Sequence, residues 1–257
     1  MLPQLQTDEL DSHSSLVEIL RDGRRRVTKK AVKEKYGQGK RVNLDTSLQH
    51  PDLLDHYRQR KSVRVQPPGH LEIAALTESE PPDWDALLAS VLVIPPGADD
   101  ATNYHHAVEA LLSALFYSAL DQPMREFPIH QGRKRIDIHY TNVATQGFFD
   151  WVNRVQNAPA PNVFVECKNY GHEVANPEID QLLGRFSPLR GRVGLLVHRG
   201  FGDKSRLEAR CRDSALDGRG FVIALDDDDL VQLIAERVQH PDSVTFTLLR
   251  QRFGALV

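Results

Sequence analysis

The chain has 257 residues, 40% of them hydrophobic and 26% charged, and a formal net charge of −3, which is typical of one large globular domain or two small ones. No apolar run approaches the roughly 18 residues that a membrane span needs, and the first twenty residues lack a signal-peptide pattern, so we expect a cytoplasmic protein without membrane contact. Cys167 and Cys211 have no second thiol near them, which excludes a disulfide framework and a zinc site and predicts two core cysteines.

The first notable feature along the chain is a basic segment at residues 21–41, with ten Lys or Arg against two acids. Such a segment is either a solvated face or an electrostatic footprint for phosphate. In the second interpretation, the side chains that bind or position DNA are Arg24, Arg25, Arg26, Lys29, Lys30 and Lys33.

Proline-rich stretches punctuate the chain after this segment, at residues 67–70, 78–85 and 94–100. Because proline and glycine interrupt regular structure, these stretches predict a division of the chain. We expect an N-terminal accessory region, residues 1–100, followed by a second domain, residues 101–257.

The second domain begins with a predicted helix that Asn103 could cap, and its apolar residues recur at helical spacing from Val108 to Phe116. The stretches "MREFPIH" and "RKRIDIHYT", joined by "QGR", then predict a β-hairpin. After a looser insert at about 142–160 comes a third strand, "NVFVECKNY". The cluster "FFDWV" in the insert either packs over the sheet, forms a dimer contact, or touches nucleic acid through its aromatic rings.

Helices and strands alternate in the remaining sequence. Asn176 and Pro177 predict the start of a helix that runs to about Phe186. Further helices are predicted at about 203–217 and 227–238, where the acids of "LDDDDLVQLI" serve the helix cap and dipole. "RVGLLVH", "FVIAL" and "VTFTLL" are predicted strands. The order of elements indicates an α/β fold with a mixed central sheet flanked by helices.

A charged pair interrupts the apolar third strand. Strand alternation places Glu166 and Lys168 on one face, where burial is costly unless partners satisfy both charges. The pair is therefore either a structural ion pair or part of a site. Asp137 lies in the preceding strand, and if the two strands pair, both carboxylates and the ammonium converge. Phosphodiester hydrolysis needs these parts: oxygen ligands for a divalent cation, an activated water and a positive charge near the phosphate.

The segments "RIDI" and "VECK" resemble the PD-(D/E)XK nuclease superfamily, whose hallmark is an acid on one strand and an acid, any residue and lysine on the next. The resemblance covers about residues 101–225, although no proline precedes Asp137. It implies a restriction-endonuclease-like fold in which Asp137, Glu166 and Lys168 are catalytic. It also implies Mg²⁺ or Mn²⁺ as cofactor, bound by Asp137 and Glu166.

Two further site residues follow from the same resemblance. Many members contribute a metal-binding glutamate from the first helix, which is Glu109 here, and some use a catalytic glutamine on the helix after the motif, which is Gln181. A solvated helix position and a surface amide are the alternative interpretations of these two residues. One branch has a tyrosine four residues after the glutamine, where this chain has Arg185. His105 shares a helix face with Glu109 and either lies close enough to contact the metal or lies at the surface near the helix start.

The resemblance implies a metal-dependent endodeoxyribonuclease of a prokaryotic restriction or other anti-phage defence system. The alternative is a non-catalytic nucleic-acid-binding or assembly module that keeps the nuclease fold. The expected partner is DNA, with or without partner subunits of a defence system. We also expect a homodimer, because a two-fold pair of sites is the simplest way to cut both strands of a duplex.

Overall fold

The computed structural model of the protein describes residues 6, 9–10, 14–37, 67–129 and 131–257. Contacts divide the chain into two compact units, Met1–Pro67 and Pro68–Val257. The division thus falls at residue 67 and not at the predicted residue 100. Residues 84–92 belong to the second unit because Leu87 and Leu88 pack against its core.

The described part of the first unit is a short hairpin followed by a helix. Strands β1 (Glu18–Ile19) and β2 (Arg25–Arg26) pair antiparallel. Helix α1 (Lys29–Tyr36) begins where the Thr28 side chain accepts a hydrogen bond from the amide of Ala31, at 3.2 Å. Its contact with the hairpin is a small cluster around two buried valines, Val27 and Val32.

The second unit is built around a five-stranded sheet in the order β3-β4-β5-β6-β7. Its strands are β3 (Leu120–Ile129), β4 (Lys134–Asn142), β5 (Asn162–Lys168), β6 (Val193–His198) and β7 (Phe221–Leu225). The first three strands pair antiparallel, as the predicted hairpin and third strand require, and β5, β6 and β7 pair parallel. The central strand β5 is therefore where the sheet changes from antiparallel to parallel pairing.

Eight helices of the described chain belong to this unit. They are α2 (His70–Thr77), α3 (Trp84–Leu92), α4 (Ala101–Phe116), α5 (Gly147–Arg154), α6 (Asn176–Leu183), α7 (Lys204–Leu216), α8 (Asp227–Gln239) and α9 (Thr247–Gly254). The predicted mixed α/β class with a central sheet flanked by helices is confirmed. No helix among the described residues is both long and apolar enough to cross a membrane.

Helices α4 and α6 cover opposite faces of the sheet. On one face, the hydroxyl of Tyr140 from β4 lies 2.9 Å from that of Ser113 in α4. On the other face, Phe164 of β5 stacks on Phe186, which follows α6, with ring centroids 6.0 Å apart. Because successive strand residues alternate between faces, Glu166 and Lys168 lie on the same side of β5 as Phe164, under α6.

One predicted strand is wrong. The stretch "VTFTLL" ends in helix α9, because the carboxylate of Glu236 accepts hydrogen bonds from the amides of Thr247 and Leu248, each at 2.9 Å, and so caps a helix. A short apolar run fits either a strand or a buried helix, and the core decides between them. The α9 residues that enter the core are Leu248, Leu249 and Phe253.

Three smaller predictions agree with the structure. The "FFDWV" cluster forms α5 and packs inward, with Phe148 and Phe149 fully buried. The acids at the start of α8 act as a cap, since Asp226 accepts from the amide of Asp229 at 2.9 Å. Both cysteines, Cys167 and Cys211, are buried and free.

Candidate active site

The site forms where the hydrogen-bonded ladder between β4 and β5 ends. The register runs from Thr141 opposite Asn162 to Ile138 opposite Val165, and the next residues on the two strands are Asp137 and Glu166. There the Asp137 carboxylate takes the place of a backbone carbonyl and accepts a hydrogen bond from the amide of Cys167, at 2.8 Å. The structure thus brings together the two acids that the sequence pattern selected.

Glu166, Lys168 and Gln181 form a closed set of hydrogen bonds. The Lys168 ammonium donates to Oε1 of Glu166 at 2.8 Å and to Oε1 of Gln181 at 3.3 Å. The Gln181 amide nitrogen also donates to Oε1 of Glu166. Gln181 reaches the strand because α6 begins at a defined point, where the Glu178 carboxylate accepts from the amide of Ala175 at 3.0 Å. One carboxylate oxygen of Glu166 is therefore held by two donors.

The other carboxylate oxygen of Glu166 has no donor. Oε2 is enclosed and, among the residues that the structure describes, without a hydrogen-bond partner, and the side chain is 0% exposed. A buried oxygen in that state costs about 1–3 kcal/mol or more for a charged group. Burial, followed by the charge of Asp137, raises the pKa of Glu166 to about 7, against the opposing charges of Lys168 and Arg185. The site thus holds a carboxyl group that is partly protonated at neutral pH and that a bound cation would favour in its ionised form, with the proton released to solvent.

Lys168 is held as a cation. Burial by itself would lower the pKa of its ammonium, but the charge of Glu166, the hydrogen bond to Glu166 and the charge of Asp137 outweigh burial and raise it. The group therefore carries a proton at neutral pH and is suited to stabilise negative charge, not to act as a base.

Helix α4 presents His105, not Glu109, to the acids. The His105 Nε2 atom lies 3.7 Å from Oδ2 of Asp137. Glu109, one turn later, pairs with Arg125 at 3.1 Å. The sequence showed that both residues share a face, but only the structure shows that His105 contacts Asp137 and that Glu109 pairs with Arg125.

These side chains fit a divalent cation that prefers oxygen ligands. Asp137 and Glu166 offer carboxylate oxygens, and the unpartnered Oε2 of Glu166 has a free lone pair for a metal. His105, Asp137 and Cys167 also place one potential ligand atom each within 4.8 Å of one another. Burial, with the charges of Asp137 and Glu166, raises the pKa of the Cys167 thiol well above its usual value, so this thiol is a poor ligand. The two carboxylates suit Mg²⁺ and Mn²⁺.

Asn169 is a positioning residue that the sequence pattern did not single out. It is 2% exposed, and its side-chain amide donates to the carbonyls of Pro95 and Gly97, at 2.9 and 3.0 Å. The Gly97 amide returns a hydrogen bond to the Asn169 carbonyl at 2.8 Å. These bonds fasten the loop before α4 to the end of β5, directly after Lys168. The only sequence signal was a polar residue at the end of an apolar strand.

The six candidate DNA-binding side chains of the first unit are all exposed: Arg24, Arg25, Arg26, Lys29, Lys30 and Lys33. Arg24 pairs with Asp22 at 2.6 Å and Arg26 with Glu18 at 3.1 Å. Ion pairs this exposed are worth about 0–1 kcal/mol and compete weakly with a phosphate. The end of the basic segment, residues 38–41, lies outside the described residues.

Comparison of the chain with family models, with curated proteins and with solved structures gives no match.

Proposed function

We propose that the chain is a metal-dependent endodeoxyribonuclease, and that Asp137, Glu166 and Lys168 form its active site. The observation that carries the proposal is the enclosed, unpartnered Oε2 of Glu166 beside the carboxylate of Asp137 and the ammonium of Lys168. A structural ion pair has no need of a second, half-buried acid whose charge opposes the first. The pattern of these residues in the sequence supports membership of the PD-(D/E)XK superfamily.

Each residue has a separate role in the proposed site. Asp137 and Glu166 hold Mg²⁺ or Mn²⁺, and His105 is placed to assist at Asp137. When bound, the cation polarises the phosphate and lowers the pKa of the attacking water. Gln181 keeps Oε1 of Glu166 in place through its amide, which leaves Oε2 for the metal. The Lys168 ammonium stabilises the negative charge that develops on the phosphate oxygens.

The exposed basic side chains of the first unit supply non-specific affinity for the DNA backbone. A homodimer would bring two sites to the two strands of a duplex. A prokaryotic restriction or anti-phage defence role, with or without partner subunits, follows from the resemblance to restriction endonucleases. A non-catalytic module that keeps the fold is the second candidate, and the closed hydrogen bonds among Glu166, Lys168 and Gln181 favour it, because they satisfy the charged pair as a structural ion pair requires.

Cleavage of supercoiled plasmid DNA by the purified chain tests the proposal. We expect nicked and linear products with Mg²⁺ or Mn²⁺ and none with EDTA. Asp137→Asn should abolish cleavage without lowering the melting temperature, because it keeps an acceptor for the amide of Cys167 and removes a charge that repels Glu166. The matched control is Asp180→Ala, which removes an exposed acid paired with Arg219. Equal cleavage by the Asp137 variant and the wild type would refute the assignment.

A further inference from the structure

Arg185 lies beside the site, and its side chain has no hydrogen-bond or ion-pair partner among the residues that the structure describes. It follows α6, four residues after Gln181, and its amide donates to the carbonyl of Leu182 at 2.9 Å, so the chain is still turning helically there. This tight turn follows the helix that carries Gln181, and the charge of Arg185 acts on the carboxyl of Glu166, so the guanidinium lies near that group.

The guanidinium of Arg185 is nine-tenths buried and unpaired. The residue is 9% exposed, its Nε atom is enclosed without a hydrogen-bond partner, and within the described part of the chain no acceptor or acid reaches its terminal nitrogens. The terminal nitrogens are not among the enclosed, unpartnered atoms, so they keep some exposure to solvent. A buried charge in this state is costly unless something outside the chain satisfies it.

Other buried arginines in this structure show what a structural role looks like. Arg199 donates to the carbonyl of Val91 at 3.0 Å and pairs with Asp227 at 3.2 Å. Arg237 donates to the carbonyls of Leu115 and Pro241. Both guanidinium groups connect distant elements through several hydrogen bonds, whereas that of Arg185 makes no hydrogen bond to any described residue.

The backbone that carries Arg185 is firmly held even though its side chain is not. The Arg190 side chain donates twice to the carbonyl of Arg185, at 3.3 and 3.1 Å. The amide of Arg190 in turn donates to the Ser187 hydroxyl at 3.0 Å. A guanidinium on a fixed backbone is already oriented for a ligand, so little freedom is lost when the ligand binds.

The surroundings of Arg185 favour an anion. Its charge acts on Glu166 together with that of Lys168, and both lower the pKa of that carboxyl. A third cation is near: the Lys134 Nζ atom lies 3.6 Å from the position that a Cβ on Gly184 would take. Arg185 and Lys168 thus set two cations against the two carboxylates of the site, which leaves net positive charge when a divalent cation neutralises the acids.

We propose that Arg185 is the phosphate-binding residue of this site, with its terminal nitrogens donating to non-bridging oxygens of the phosphodiester that lies over Glu166 and Lys168. This inference rests on the proposed nuclease function for its choice of phosphodiester. An arginine fork matches two oxygens of one phosphate, and such charge-assisted pairs are the strong ones. The tyrosine found at this position in one branch of the resembling superfamily cannot supply that charge.

Substitution of Arg185 tests the proposal against a purely structural role. The variants are Arg185→Ala and Arg185→Lys, with Arg219→Ala as the matched control. Arg219 is exposed and pairs with Asp180 of α6, the helix that precedes Arg185. Three measurements are made on each preparation: the melting temperature with and without inorganic phosphate in EDTA, the affinity for a short duplex in Ca²⁺, and the single-turnover cleavage rate in Mg²⁺. The first two do not depend on turnover.

We expect phosphate to raise the melting temperature of the wild type and of the control, and not that of Arg185→Ala. The Arg185→Ala cleavage rate should fall by about a hundredfold or more, as is common when one positioned charge is removed. Its duplex affinity should fall much less, because many phosphates are bound elsewhere. The lysine variant should recover part of the rate. Without phosphate the alanine variant should melt no earlier than the wild type, since an unpaired buried charge has been removed.

Two results would overturn the proposal. The first is an alanine variant that cleaves at the wild-type rate and keeps the phosphate effect. The second is one that melts much earlier while the phosphate effect and the rate per folded molecule persist, which would make Arg185 a structural partner of Glu166. If the wild type does not cleave at all, yet the phosphate effect still depends on Arg185, the nuclease function fails and the anion site stands.

Discussion

At the scale of single residues, the central question is whether Lys168 serves the fold or the reaction. Its ammonium touches both Glu166 and Gln181, so either role is consistent with the contacts. The two roles differ in whether the buried carboxyl of Glu166 keeps an unpaired charge when the lysine is removed. Because the pKa of Glu166 is already about 7, the carboxyl can take up a proton and avoid an unpaired buried charge.

Lys168→Ala is therefore expected to fold with little loss of stability, whereas breaking a structural buried pair costs about 3–5 kcal/mol. Its single-turnover cleavage should fall by about a hundredfold or more, and its DNA affinity in Ca²⁺ should persist. Lys204→Ala is the control, since Lys204 pairs with Asp226 at 2.7 Å and with Asp229 at 3.0 Å. That variant should melt earlier and cleave normally per folded molecule. The same behaviour in Lys168→Ala would make "VECK" a structural pair.

The pKa of Glu166 also predicts how stability depends on pH in the metal-free protein. Between the ordinary value of 4.5 and about 7, the folded state binds more protons at this group than the unfolded state does. The free energy of unfolding should therefore fall as the pH rises through this window, by about 3 kcal/mol at 1.36 kcal/mol per pKa unit. The loss is complete above pH 7, and a bound metal should reverse it by favouring the carboxylate.

Urea unfolding in EDTA from pH 4.5 to pH 8 measures this effect as the difference between the wild type and Glu166→Gln. The difference is needed because burial lowers the pKa of His139 and of His198, so that stability rises with pH below 6.5 at those two groups. Both proteins share that contribution. A difference that stays flat, or that grows in favour of the wild type as pH rises, would contradict the raised pKa of Glu166.

At the scale of elements, helix α1 and the hairpin before it should be the sequence-independent DNA contact. Lys35 and Tyr36 at the end of α1 are tied to the carboxylate of Glu9, by an ion pair of 2.8 Å and a hydrogen bond. This end of the helix is therefore anchored. Lys29 and Lys33, one turn apart, remain exposed, and the acids nearby pair with Arg24, Arg26 and Lys30.

Replacement of Lys29, Lys30 and Lys33 by alanine should weaken binding to all DNA sequences equally. The slope of log K against log salt should become shallower by about 0.9 for each phosphate that the variant no longer neutralises. Replacement of Arg24, Arg25 and Arg26 should act in the same direction, and less strongly, because Arg24 and Arg26 are paired with acids. The readout is fluorescence anisotropy over a range of salt concentrations. An unchanged slope in both variants would leave the segment as a solvated face.

At the scale of the whole molecule, the division at residue 67 separates the basic elements from the candidate site. All members of the large hydrophobic core, from Val91 to Leu256, lie in the second unit, as do Asp137, Glu166 and Lys168. A unit with its own core of this size is expected to fold by itself.

A chain of residues 68–257 should therefore unfold cooperatively and should keep metal-dependent cleavage at low salt. Its DNA affinity should be lower than that of the full chain and should fall less steeply with added salt, because without the side chains of residues 21–37 fewer phosphates are neutralised. Circular dichroism melting checks the fold, plasmid cleavage checks the activity, and fluorescence anisotropy over a range of salt concentrations checks the affinity. A shortened chain that starts at residue 101 is the comparison, and it should be less stable because it lacks α3 from the core. Loss of all cleavage by the 68–257 chain at low salt would show that the first unit belongs to the site.

Much of the second unit was predictable from local pattern. Strands β3 to β7, helices α4, α6, α7 and α8 and the cap at Asp226 follow from alternation, helical spacing and capping chemistry, whereas helix α5 lies in a stretch that was predicted only as a looser insert. The boundary at residue 67 and the helical state of α9 did not follow. Proline-rich stretches occur within a compact unit as well as between units, and a short apolar run has no preferred period of its own.

The sequence by itself determined the acids and the lysine of the candidate site. The two-residue alternation of a strand puts Glu166 and Lys168 on one face. The predicted hairpin and the strand after it bring Asp137 alongside them. Only the tertiary structure decided that His105 and not Glu109 approaches Asp137, and that Asn169 fastens the loop at Pro95. The same holds for the burial of Arg185, whose side chain has no hydrogen-bond partner among the described residues. These facts depend on how the helices pack on the sheet and on which groups surround a buried side chain. Both are set by residues that are far apart in the sequence, so the local sequence pattern cannot predict them.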